Sequence, residues 1–131
     1  MISEPLNEVH LQDVAQIALT VQNLAEAKTF YGEVLELKFL FDAGTMAFFQ
    51  CGPVRLMIGE AEKPSVSEGT IVYFRVADIE ATARLLESRG ISFVQQPHLA
   101  ARMKSHDLWL AFLKDPAGNT LGLMSEIART S

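Results

Sequence analysis

The 131 residues suit one domain, and with 49% apolar and 21% charged residues the chain falls outside the disordered and fibrous classes. A formal net charge of -5, a pI near 5.1 and the absence of any Lys/Arg cluster exclude phosphate-backbone binding, so nucleic acid is not an expected partner. The first residues lack the basic start and apolar run of a secretory signal. No stretch reaches bilayer length, so a cytoplasmic setting without a membrane partner is expected.

Residues 1–11 read as a leader with a surface His10. Val14 to Val21 then alternates, with Ile17, Leu19 and Val21 on one face and Gln16, Ala18 and Thr20 on the other, which predicts a strand with one apolar face. Asn23 followed by Glu26 opens a helix whose apolar positions are Leu24, Ala27, Phe30, Tyr31 and Val34. Leu37 to Phe41, Met46 to Cys51 and Val54 to Ile58 are short apolar runs separated by the turn signals Asp42-Ala43-Gly44 and Gly52-Pro53. Cys51, the single cysteine, reads as a buried thiol beside Phe48 and Phe49.

Residues 61–69 are polar, contain Pro64 and show no periodicity; they read as a linker. A second pass follows: a strand at Ile71 to Val76, a helix capped by Asp78 and ended by Gly90, and a strand at Ile91 to Gln95. Gln96 to Asp107 is expected to be a loop, with strands after it at Leu108 to Lys114 and Thr120 to Ile127. The stretch Asp115-Pro116-Ala117-Gly118-Asn119 between these strands is a tight-turn signature.

Aligning the passes reveals a duplication. Val21, Asn23 and Leu24 match Val76, Asp78 and Ile79 at an offset of 55; Ala47 to Gln50 match Ala111 to Lys114 at 64; Gly52 and Val54 match Gly118 and Thr120 at 66. The expected fold is α+β, two βαβββ modules at about 12–60 and 70–128 sharing one core within a single domain of residues 1–131. Open sheet edges make a homodimer the expected assembly.

On the early stretch IALTVQNLAEAKTFYGEVLEL and the late stretch FLKDPAGNTLGLMSE, the chain resembles the vicinal oxygen chelate superfamily of glyoxalases, bleomycin-resistance proteins, epimerases and extradiol dioxygenases. The resemblance implies modules curled around a cleft. In metal-dependent members a divalent ion sits there on one position in the first and one in the last strand of each module. Carried over, those positions are Gln16, Leu56, Ile71 and Gly122. Of these only Gln16 has a donor atom, so no metal and no other cofactor is expected at that place. A divalent metal belongs to the alternative reading.

Strand parity aims Gln16 at the cleft, as a donor to a ligand or as a polar residue on a half-wet strand. Arg75, on the face of Tyr73, can hold a carboxylate bidentately or reach solvent. Phe48, Phe112, Leu56, Leu110, Met124 and Tyr73 give the cleft an apolar, aromatic lining, and ordinary core packing accounts for them equally. Trp109, of opposite parity to Phe112, is expected under a helix. His98 and His106 lie within PHLAARMKSHD, part of the Gln96 to Asp107 stretch that holds the nine residues by which the second module exceeds the first. A lid that brings His106 to the ligand competes there with a solvated loop. Arg102 and Lys104 favour an anionic ligand. Glu60 and Glu126 are placed at equivalent module ends.

The function expected is a metal-independent small-molecule binding protein of the bleomycin-resistance kind, for an anionic or aromatic ligand, with Gly122 leaving room for it. The alternative is a glyoxalase- or epimerase-type lyase or isomerase using an unusual metal site or metal-free acid-base chemistry. A third reading is a subunit whose cleft takes a protein partner.

Overall fold

The computed structural model describes residues 12–63 and 70–129. The expectations for the leader with His10, and for most of the linker, lie outside the described residues. The elements are β1 Gln16–Val21, α1 Leu24–Thr29 with a π-helical continuation Phe30–Val34, β2 Lys38–Ala43, β3 Met46–Cys51, β4 Val54–Glu60, β5 Val72–Arg75, α2 Ile79–Ser88, β6 Phe93–Arg102, β7 His106–Lys114 and β8 Thr120–Ala128. Two βαβββ modules follow one another, as the duplication predicts.

Local chemistry fixes the helix starts. The Asn23 side chain accepts from the Glu26 N–H at 3.0 Å, and Asp78 accepts from the Ala81 N–H at 3.0 Å, each satisfying an orphan donor of a first turn. The Leu24 N–H donates instead to Glu60 Oε2 at 2.7 Å, so the last strand of module one caps the helix that follows its first. Gly90, at φ +92, ends α2 in the left-handed region that disfavours a side chain.

Each module forms a four-stranded sheet, in the orders β1-β4-β3-β2 and β5-β8-β7-β6. The pairs β1/β4 and β5/β8 are parallel and the others antiparallel. One face of each sheet lies under the helices: Leu19, Val21, Phe49, Leu56 and Ile58 from the first sheet and Leu113, Leu121 and Leu123 from the second join Ala27, Tyr31 and Leu86 in a single buried cluster. Each large aliphatic side chain buried there contributes about 1.5–3 kcal/mol. The other face of each sheet carries no helix and is called the open face below.

Strand register corrects the repeat in its last strand. Ala18 stands opposite Met57 and Tyr73 opposite Gly122, so Met57 corresponds to Gly122 and the offset in this strand is 65, between the 64 and 66 read from the flanking segments. Leu56 therefore pairs with Ile17 on the helix side, is 2% exposed, and does not share the face of Gln16. By the same shift Glu60 corresponds to Ser125, and the expected equivalence of Glu60 with Glu126 does not hold. Glu60 caps α1, whereas Glu126 lies on the open face.

The excess residues of module two are also placed differently from expectation. Gln96 to Arg102 prolong β6 and His106 starts β7, so the stretch read as a loop or lid is an extended hairpin with its turn at 103–105. Three register shifts along β6 break the period-2 pattern that would have marked it as a strand. Arg129 staples the hairpin tip, donating to Asp107 Oδ1 at 2.5 Å, to His106 O at 3.1 Å and to Lys104 O at 3.0 Å. Trp109 takes the helix-side face opposite Leu99 and Ser125, as parity predicts, and packs on the core.

The Asp115 turn joins the modules. Asp115 is 4% exposed; its Oδ1 accepts from the Ala117 and Asn119 N–H groups, and its Oδ2 from Asn119 Nδ2 at 2.9 Å and from the Tyr31 hydroxyl at 2.7 Å. Asn119 Nδ2 also donates to Thr20 O at 3.0 Å in β1. A turn of module two thus holds the helix and first strand of module one. Burial first, then the Asp115 charge and hydrogen bond, push the Tyr31 phenol far above its usual value near 10.

Two outcomes follow for Tyr31→Phe. At neutral pH, loss of a donor to a buried carboxylate should lower unfolding stability by about 1.5–3 kcal/mol, measured by urea titration. The folded state keeps the Tyr31 proton while the unfolded chain loses it above about pH 10, so the wild-type chain loses stability as pH rises past that value and the variant should show a shallower alkaline decline. An unchanged alkaline slope would contradict the lock.

Candidate functional site

On the open face of module two, strand register brings together most of the residues proposed from the sequence. Tyr73, Gly122 and Phe112 lie side by side across β5, β8 and β7; Arg75, Met124 and Leu110 form the next row, and Glu126 and Leu108 stand opposite each other beyond it. Tyr73 and Phe112 meet edge to face with centroids 5.9 Å apart, and His98 approaches Phe112 at 6.5 Å. Tyr73 as a residue is still 44% exposed, so an aromatic surface remains available.

The polar groups of this face are engaged with one another. Arg75 donates to Glu126 Oε1 from Nε at 3.0 Å and from Nη2 at 2.8 Å, while Glu126 Oε2 lies 3.3 Å from His106 Nε2. Ser105 Oγ is 3.3 Å from His106 Nδ1. One carboxylate therefore bridges a guanidinium and an imidazole. His106 reaches this position from a strand rather than from a mobile lid. Glu126, which the sequence placed only at a module end, is the partner of both Arg75 and His106.

Module one presents a smaller counterpart. Arg55 Nε donates to Gln16 Oε1 at 2.8 Å and its guanidinium lies over the Phe48 ring at 5.4 Å; Gln16 Nε2 approaches Met57 Sδ at 3.8 Å. Phe41 stacks on Phe48 at 4.6 Å. Gln16 and Phe48 share this face, Leu56 does not, and Arg55 and Met57 take its place. The alternation Val54-Arg55-Leu56-Met57-Ile58, with both branched aliphatics of its centre on the core side, is the signal that identifies them.

The four positions singled out by the resemblance do not fit a divalent ion. With the register corrected they are Gln16, Met57, Ile71 and Gly122: one amide, one thioether and two positions without a donor atom. At Gly122 the space is taken. A Cβ built there would fall 2.5 Å from Tyr73 Cδ1 and 2.8 Å from Cε1, so the tyrosine ring lies where a larger side chain would stand. The expectation that Gly122 leaves room for a ligand is corrected accordingly: its missing side chain makes room for Tyr73.

A crevice of about 450 Å³ opens between the modules, lined on one side by Ile17, Leu56 and the Cys51-Gly52-Pro53-Val54 turn, and on the other by Val72 to Arg75 and Met124. Leu56, Tyr73, Arg75 and Met124 among the sequence-proposed residues meet here. Hollows beside the start of α1 and between α1 and β2 contain none of those residues. Cys51 is half-buried, and its burial pushes the thiol upward, away from thiolate reactivity.

Gly122→Ala should cost about 1–3 kcal/mol in urea unfolding, the scale of overpacking, because the Tyr73 ring must leave its place against Phe112. The same change made on Tyr73→Ala should cost distinctly less. Additive effects in this double-mutant cycle would show that the ring does not occupy the glycine's space.

The family profile of the Glyoxalase/Bleomycin resistance protein/Dioxygenase superfamily matches residues 13–123. Solved structures with the same fold include a chain from Bacillus anthracis assigned to the glyoxalase family, at 20% identity and TM-score 0.78, covering 91% of this chain and 98% of that one. A lactoylglutathione lyase from Agrobacterium tumefaciens is 20% identical at TM-score 0.74, covering 88% and 95%. An integron cassette protein from the mobile metagenome of the Halifax Harbour sewage outfall is 23% identical at TM-score 0.73, covering 88% and 99%. Among curated proteins none matches. Tandem βαβββ modules, the paired mixed sheets and a profile match across most of the chain agree, and the protein belongs to the Glyoxalase/Bleomycin resistance protein/Dioxygenase superfamily.

Proposed function

We propose that this protein binds a small organic molecule without a metal ion, against the apolar and aromatic surface that Tyr73, Phe112 and Met124 form beside Arg75. The observation that carries this reading is the Tyr73 ring lying over Gly122, at the position where metal-dependent relatives would need a donor. The remaining positions supply one amide and one thioether, a set unsuited to Zn²⁺, Mn²⁺ or Fe²⁺. An exposed aromatic ring, a neighbouring guanidinium and an adjoining crevice supply what a binding site for a small amphipathic compound requires. Among the described residues the outer strands β1, β2, β5 and β6 each keep one edge unpaired, which supports a homodimer. A cytoplasmic setting is part of the same reading; no helix among the described residues is long and apolar enough to cross a membrane.

Protein purified without chelator should contain no stoichiometric Zn, Ni, Mn or Fe by elemental analysis, and adding each ion should leave the melting temperature unchanged. A stoichiometric ion would overturn the metal-free reading.

One observation favours a second reading, a lyase or isomerase working by metal-free acid-base chemistry: Glu126 Oε2 lies 3.3 Å from His106 Nε2, a pair able to exchange a proton with a ligand on the open face. The measurement that separates the two uses lactoylglutathione, the compound in the name of one structural neighbour. Its formation or breakdown by chelator-treated protein, abolished in Glu126→Gln, would establish the enzyme. The binder reading expects no turnover from either chain.

A further inference from the structure

Among the described residues, the duplication makes two of the places where the modules meet counterparts. At the first, Tyr31, Asp115 and Asn119 form the polar lock described above. Their repeat positions are Leu86 at an offset of 55, Cys51 at 64 and Pro53 at 66. No side chain of this second set can reproduce a hydrogen bond of the first, since leucine and proline offer none and the half-buried thiol is a weak partner.

The second junction is accordingly open. The crevice of about 450 Å³ already described is there, and behind it lies a hollow of about 200 Å³ lined by Leu35, Leu37, Leu86, Leu123 and Thr82. Cys51, Phe74 and Arg75 line both. Space with so few polar partners is poorly suited to water and well suited to an apolar group. Arg75 is the one charged residue in either lining among the described residues; Glu126, its partner, lines neither. A ligand entering here meets hydrocarbon, the aromatic residues Tyr73 and Phe74 and a guanidinium, and no acidic side chain in the walls.

From this we infer that the inter-module crevice is a binding site for a small aromatic carboxylic acid, its ring system inserted toward Cys51 and Phe74 and its carboxylate set on Arg75. The inference rests on the reading of the chain as a small-molecule binder and specifies the place and the ligand class. A planar carboxylate matches the guanidinium fork, and Glu126 holds Arg75 through a single oxygen, Oε1. The ring system replaces contacts that the locked junction obtains from its own side chains.

Cys51, as the single cysteine, reports on occupancy without any substitution. The probe is 1-naphthoate, with the uncharged 1-naphthamide as control, titrated by calorimetry. N-ethylmaleimide addition is followed by intact mass. Saturating naphthoate should slow alkylation at least tenfold. Arg75→Met should weaken naphthoate at least tenfold while changing naphthamide less than twofold, and Cys51→Phe, which fills the crevice, should abolish binding of both. Naphthoate that binds without protecting Cys51 would overturn the crevice assignment and leave the binder reading intact, the ligand then lying on the open face. Absence of naphthoate and naphthamide binding to folded wild-type protein at millimolar concentration would overturn the ligand class. Because protection is read on the wild-type chain, a Cys51→Phe protein that fails to fold does not blunt the test.

Discussion

A buried carboxylate governs how the two halves of this protein sit together. Taking Asp115 out of water is unfavourable by several kcal/mol unless its lone pairs are satisfied, and four donors satisfy them: two backbone N–H groups of its own turn, the Asn119 amide and the Tyr31 hydroxyl. Three of the four are local and would form in any copy of the turn. The Tyr31 bond is the one that crosses between modules, and with Asn119 donating to Thr20 O it fixes both the helix and the first strand of module one against module two. The arrangement has a cost, since Asn119 Oδ1 is buried without a partner among the described residues. That orientation is retained because Nδ2 serves Asp115 and β1 at once.

The shared core carries most of the hold between the modules, and beside the second junction Arg89 adds only a partly exposed contact, donating to Val34 O at 2.8 Å and pairing with Glu36 at 2.8 Å. Helix-side residues of both sheets belong to one buried cluster, so separating the modules would expose apolar surface from each. The second junction therefore needs no buried polar lock in its walls. It carries cysteine, proline and leucine where the first has aspartate, asparagine and tyrosine, and space remains between its walls. Duplication followed by divergence at one of two equivalent contacts is a simple physical route from a symmetric scaffold to a single asymmetric pocket.

Much of the fold was legible in the residues. Helix starts at Asn23 and Asp78, the stop at Gly90, the DPAGN turn and the order of elements all rest on local chemistry, and local chemistry is what a sequence states most directly. The site was less legible because it depends on register across strands. A one-residue error in β4 moved Leu56 onto the wrong face and hid Arg55 and Met57, since strand faces alternate and a shift of one exchanges them. The extended β6–β7 hairpin was obscured by its bulges. That Tyr73 covers Gly122 is a contact between neighbouring parallel strands about fifty residues apart, and no pattern within either strand announces it.

The overall charge of -5 would disfavour an anionic ligand if it acted uniformly, and it does not. At physiological ionic strength exposed charges are screened over about 8 Å, so the groups that decide an anion's fate are those lining the space it enters. In the crevice that group is Arg75. Glu126 neutralises part of its charge, yet it also orients the guanidinium and is drawn toward His106, so its hold on Arg75 is shared. A carboxylate arriving on the crevice side extends this chain of alternating charges and leaves the existing ion pair in place. Selectivity then comes from the walls: Phe74, Leu56 and Met124 reward an apolar ring, and a small hydrophilic anion that meets only Arg75 forgoes those contacts.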